Sequence, residues 1–109
     1  MATSPEYLAF VLEQLPPLWD IRSRKMFGEY MIYLNDKPIL ALCDNTVFVK
    51  KLPALSEILA SAPCGCPYEG AKEHYILDVE DHDLTERVLT LAEAATPLPK
   101  PRKKGRGET

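Results

Sequence analysis

A chain of 109 residues, 46% hydrophobic and 27% charged, has material for one small domain with a single core and not for two. No apolar run approaches the roughly 18 residues of a membrane span, and an odd count of three cysteines argues against a secreted disulfide framework. The net charge of −3 divides into −7 over positions 1–99 and +4 over positions 100–109, which excludes a uniformly basic nucleic-acid-binding body.

The first residues, MATSPEY, lack a basic start followed by an apolar segment, so no secretory signal is expected and a reducing, cytoplasmic setting is the simplest reading. SPEYLAFVLEQLPP predicts a helix: Ser4 caps it, Pro5 suits its first position, and Glu6 complements the positive end of its dipole. Leu8, Val11, Leu12 and Leu15 share one face, and Pro16-Pro17 forbid continuation. Three strands are expected next, at Arg24 to Leu34, Pro38 to Cys43 and Thr46 to Lys51. Asn35-Asp36 and Asp44-Asn45 tolerate positive φ and centre the two tight turns between them, giving a three-stranded antiparallel meander. Gly28, inside the first strand, marks a bulge or a close backbone approach; Met26, Phe27, Ile32 and Leu34 read as core.

PALSEILAS predicts a second helix with Leu55, Ile58 and Leu59 inward, and APCGCPYEGAKE is too rich in Pro and Gly for more than a short strand near Tyr68. EHYILDVE alternates as a half-buried strand. DHDLTERVLTLAEAA is a last helix, capped by Asp81 or Asp83, with Leu84, Val88, Leu91, Ala92 and Ala95 on one face. The order α-β-β-β-α-β(β)-α defines an α+β two-layer domain over residues 1–96, its helices on an antiparallel sheet. A disordered basic tail is expected over 97–109.

RKMFGEYMIYLNDKPILALCDNTVFVKK resembles the N-terminal domain of the TfoX/Sxy competence-regulator family. The marks are Arg-x-Met-Phe-Gly at Arg24 to Gly28, then Tyr30, a hairpin, a short apolar strand and a strand ending in Lys50. CPYEGAKEHYILDVEDHDL looks like the second half of the same domain, so the resemblance spans about residues 20 to 95. It implies a helix packed on an antiparallel sheet, with further helices. The family commonly has glycines where this chain has Glu29 and Met31. Full-length competence regulators carry a second, helical domain where this chain has its basic tail, so their control of DNA-uptake genes does not transfer whole.

The residues offer three kinds of site. Arg24, Lys25, Glu29, Tyr30, Tyr33 and Lys50 are candidates for an exposed recognition surface, competing with a purely structural role for the motif. Glu29→Gly is expected to cost under about 1 kcal/mol if Glu29 faces solvent. Cys64 and Cys66 can ligate zinc, with Cys43, His74 or His82 completing the set, or form a strained redox disulfide; the C-x-C spacing fits two incidental thiols better. Lys100, Arg102, Lys103, Lys104 and Arg106 in the tail can contact nucleic acid by counterion release. The two histidines read as solvated end residues, and DVEDHD reads as a helix cap with an acidic turn. No catalytic motif appears. The expectation is a non-enzymatic regulatory or binding domain without cofactor or membrane association, acting through an unidentified protein partner in an unassigned oligomeric state, with nucleic-acid binding by the tail as the alternative.

Overall fold

The structure is a computed structural model that describes residues 3–26 and 28–98. Helix α1 (Pro5–Gln14) is followed by strands β1 (Ile21–Met26), β2 (Glu29–Leu34), β3 (Lys37–Cys43) and β4 (Thr46–Lys50). A 3-10 turn (Pro53–Leu55), two short strands, β5 (Cys64–Gly65) and β6 (His74–Ile76), and helix α2 (His82–Ala95) complete the order. The six strands form one sheet in the order β1-β2-β3-β4-β6-β5, every neighbour antiparallel. The α+β two-layer reading is the observed architecture.

Local chemistry explains the ends. Ser4 Oγ accepts from the Tyr7 amide with Pro5 just inside α1, and Asp81 Oδ1 accepts from the Leu84 amide at the start of α2. Asn35, Asp36, Asp44 and Asn45 all have positive φ, between 51° and 67°, the mirror-image turn that matches strand twist. Pro38 sits where the β2–β3 register shifts, so its missing N–H breaks no regular ladder.

Alternation sorts the sheet into two faces. Ile32 and Leu34 of β2, Leu40 and Leu42 of β3, and Val47 and Val49 of β4 are buried on one side. There they meet Val11 and Leu15 of α1, Leu55 and Leu59 after β4, and Val88, Leu89 and Ala92 of α2. Each fully buried Val, Leu or Ile side chain among these contributes on the order of 1.5–3 kcal/mol of transfer free energy.

Several expectations are corrected. The Arg24 to Leu34 segment is a hairpin rather than one bulged strand, because Gly28 takes φ +82° and the chain reverses so that Met26 faces Glu29. The meander thus has four strands, and Met26, at the end of its outermost strand, is 39% exposed instead of core. Phe27 lies outside the described residues. The predicted second helix is only a 3-10 turn followed by mixed turns to Ser61. The amides of Ser56, Ala60 and Ala62 bond three residues back and only Leu59 bonds four back, to Leu55, so the segment winds as tight turns, though Leu55 and Leu59 are buried as expected. The short strand after it forms at Cys64–Gly65, not near Tyr68, where Gly65 leaves only 3.4 Å between a notional Cβ and the Phe48 and Ile76 side chains. In α2 the buried stripe is Thr85, Val88, Leu89 and Ala92, while Leu91 and Ala95 are exposed; the i, i+3, i+4, i+7 set that meets the sheet is rotated from the predicted face.

The far end of α2 is clamped to the β2–β3 turn. Lys37 Nζ lies 3.0 Å from Glu93 Oε2 and donates to the Glu93 carbonyl at 3.0 Å, and Asn35 Nδ2 donates to Glu93 Oε2 at 3.3 Å. The Lys37 bond and then the Asn35 bond hold the Glu93 carboxyl below the usual carboxylate range. Because the folded-state value is the lower one, this contribution is present above the unfolded carboxylate value and is lost as pH falls through the folded value. Glu93→Gln should therefore flatten the acid limb of the stability curve, measured by thermal melts between neutral and acid pH. The positive φ of Gly28 makes a second prediction: Gly28→Val should lower stability by about 1–3 kcal/mol and Gly28→Asn by less, since Asn enters the left-handed region more readily. Denaturant melts of both variants check the order.

Candidate functional site

Among the described residues the second face of the sheet carries no helix. Alternation puts Arg22, Arg24 and Met26 of β1, Glu29, Met31 and Tyr33 of β2, and Ala41 and Cys43 of β3 on this side. A recess of about 530 Å³ opens among Met26, Glu29, Tyr30, Met31, Ala41 and Cys43, and Tyr68 reaches it from the loop after β5. Tyr68 is 69% exposed, a large aromatic surface left in water. Two methionines give the floor flexible, polarisable side chains that can mould to an apolar partner. Burial, and then the neighbouring Glu29 charge, push the Cys43 thiol up, so it stays protonated and a poor nucleophile.

Glu29 has a defined structural task at the rim. Its Oε1 accepts from the Thr3 hydroxyl at 2.6 Å, the Thr3 amide at 3.0 Å and the Asp44 amide at 3.2 Å. The Thr3 hydroxyl in turn accepts from the Asn45 amide at 3.2 Å, and Asn45 Oδ1 accepts from the Ser4 amide at 3.0 Å. Thr3 is only 3% exposed, so the segment that enters α1 is strapped across the tips of two hairpins. Glu29 is half-buried rather than solvent-facing, which overturns the condition behind a small cost for its loss.

The six recognition candidates are divided by the sheet. Arg24, Glu29, Tyr33 and Lys50 fall on the open face, with Arg24 and Tyr33 lining a second, shallower hollow that also includes Arg22 and Asp36. Lys25 and Tyr30 oppose one another on the helix-facing side, where Tyr30 packs against the core while also contributing to the lining of the recess. The tail cations from Lys100 to Arg106 lie outside the described residues. Sequence reading missed Met26, Met31 and Tyr68 as surface groups and Thr3 and Asn45 as anchors. Strict alternation in EYMIYL was the available signal for Met31, whereas Thr3 has none, because its partners lie 26 and 42 residues away.

Cys64 and Cys66 are free and exposed, and Cys43 is buried on β3. The His74 ring bonds the Lys72 carbonyl, and the His82 ring bonds Gln14 of α1. Among the described residues no three His, Cys, Asp or Glu side chains gather as a metal site. The acidic run is spent on turns: Asp78 accepts from the Glu80 amide and Asp81 caps α2.

A family model described as the TfoX N-terminal domain matches residues 13–96. The chain is also 40% identical over 105 residues to an uncharacterized 12.7 kDa protein in the trpE 5' region of Spirochaeta aurantia, a match covering 94% of this chain and 91% of that protein.

The strap generates a prediction. Glu29→Gly removes the charged acceptor shared by the Thr3 hydroxyl, the Thr3 amide and the Asp44 amide, leaving Thr3 only the Leu42 carbonyl at 3.1 Å and the Gly28 carbonyl at 3.2 Å, and should cost about 1–3 kcal/mol, the net worth of hydrogen bonds to a charged group. In Thr3→Val the same loss should be largely pre-empted, so the double variant falls well short of additivity in denaturant melts.

Proposed function

The chain belongs to the TfoX N-terminal domain family, and on that premise we propose that it is a small, non-enzymatic regulatory domain that acts by binding a protein partner. The observation that carries this reading is the sheet face that bears no helix among the described residues, with its methionine-floored recess and exposed Tyr68. Exposed aromatic and methionine groups beside a concavity are the common anchors of protein recognition. Among the described residues the recess offers no activated nucleophile, since its cysteine is held protonated. No helix among the described residues is long and apolar enough to cross a membrane, and three free cysteines suit a reducing, cytoplasmic setting.

Affinity capture from the source cell, with wild type and Tyr68→Ala side by side, tests the proposal. A partner retained by the wild type should be depleted about tenfold or more by the variant, the usual effect of removing an aromatic anchor. Identical capture by both proteins, or turnover of a substrate in a broad activity screen, counts against it. DNA retention by the full chain and by a chain ending before Pro99, across a salt series, isolates the tail-driven nucleic-acid alternative. That alternative requires binding that vanishes with the tail and weakens steeply with salt.

A further inference from the structure

We propose that the free edge of β1 is a docking edge for an extended acidic segment of a partner protein, which adds to the sheet as a further strand. The proposal deepens the protein-contact reading at a second surface, which adjoins the recess at Met26.

Among the described residues β1 is outermost in the sheet and pairs with β2 alone. The Asn35 amide donates to the Asp20 carbonyl at 2.9 Å, and Asp20 to Met26 run antiparallel to Asn35 to Glu29. Hydrogen-bonded and open pairs alternate along such a ladder, so residues 20, 22, 24 and 26 spend their backbone groups on β2. Ile21, Ser23 and Lys25 aim their N–H and C=O groups at the empty side, where they have no backbone partner among the described residues. Five consecutive residues, Arg22 to Met26, are exposed. This edge is a ready template for another peptide backbone.

Charge selects the strand it accepts. Arg22 and Arg24 project on the open face of the sheet and Lys25 on the other, so both sides of the edge are basic. Arg22 shares its charge with Asp20 at 3.2 Å, but both side chains are more than half exposed; Arg24 and Lys25 have no ion-pair partner among the described residues. Two copies of β1 laid edge to edge would bring these cations together, which opposes self-pairing. An acidic strand meets opposite charge on whichever face its carboxylates take, while satisfying the alternating donors and acceptors. A nucleic-acid phosphate could meet the cations, yet it offers no donors to the outward carbonyls. The backbone pattern therefore favours strand addition over nucleic acid.

The test uses the full chain, labelled with nitrogen-15, and a blocked peptide of alternating Glu and Val as the probe. Low-salt titration should shift the amides of Ile21, Ser23 and Lys25 and slow their hydrogen exchange. The fully N-methylated peptide keeps the charges but loses the donors, and a Lys-Val peptide reverses the charge; both should bind at least about tenfold more weakly. Arg24→Glu with Lys25→Glu should weaken the acidic peptide similarly while leaving the thermal melt unchanged, and Tyr68→Ala should leave peptide binding intact. The inference is overturned by equal binding of the methylated peptide, by perturbations centred on Met31 and Ala41, by no response at millimolar peptide, or by an oligothymidylate occupying this edge in preference to the peptide. Because Tyr68→Ala reports on the recess alone, failure at the edge leaves the recess reading standing, and the reverse holds too.

Discussion

The left-handed backbone at Gly28 is the constraint on which the rest of this arrangement depends. By reversing the chain it opposes Met26 to Glu29 and thereby sets the register of every later residue in the first hairpin. That register sends Ile32 and Leu34 to the core and Glu29, Met31 and Tyr33 to the other face; a one-residue slip would exchange the two sets. It also makes β1 a separate strand, and so creates the basic free edge. Glu29 then stands at the tip of the hairpin, within reach of Thr3 and of the next turn at Asp44.

Two polar clusters tie the helices to opposite ends of the central strands. At one end, Thr3, Glu29 and Asn45 hold the entry to α1 against the tips of the first and third hairpins. At the other end, Lys37, Asn35 and Glu93 hold the last turns of α2 against the second. Between these clamps the contact of helices and sheet is apolar, running from Val11 through Leu40 to Val88. Hydrophobic burial supplies most of the attraction and is non-directional, whereas the hydrogen-bonded ends fix where each helix lies along the strands.

Much of the fold is legible in the residues because its signals are local. Ser4-Pro5 and Asp81 announce helix starts within a few positions, and the Asn35-Asp36 and Asp44-Asn45 turns need only their own side-chain chemistry. The first hairpin is harder to read. Met26, Phe27 and Gly28 are flanked by residues that alternate as one long strand, and only the φ of the glycine reveals the reversal. The segment from Pro53 misleads for the opposite reason: Leu55, Ile58 and Leu59 have helical spacing, but most of the amides there bond three residues back and the segment winds as turns. The candidate surfaces are the least legible part, since Met31 and Tyr68 meet only through tertiary placement, and Glu29 reads as a surface acid until the distant Thr3 is brought to it.

The resemblance places glycine where this chain has Glu29, and the carboxylate has been put to use as an acceptor for the chain's own early residues. The consequence is a division of labour across the sheet. Charged and polar groups with structural duties sit at the two ends, in Glu29 and in Lys37 with Glu93. Arg24, Lys25, Met31 and Tyr68 lie on the open face or along its edge and have no ion-pair or hydrogen-bond duty assigned among the described residues. Side chains free of structural work can change with modest cost to stability, while backbone and core keep their geometry. A scaffold arranged in this way can retain one fold while its uncovered surface is altered to suit a different partner.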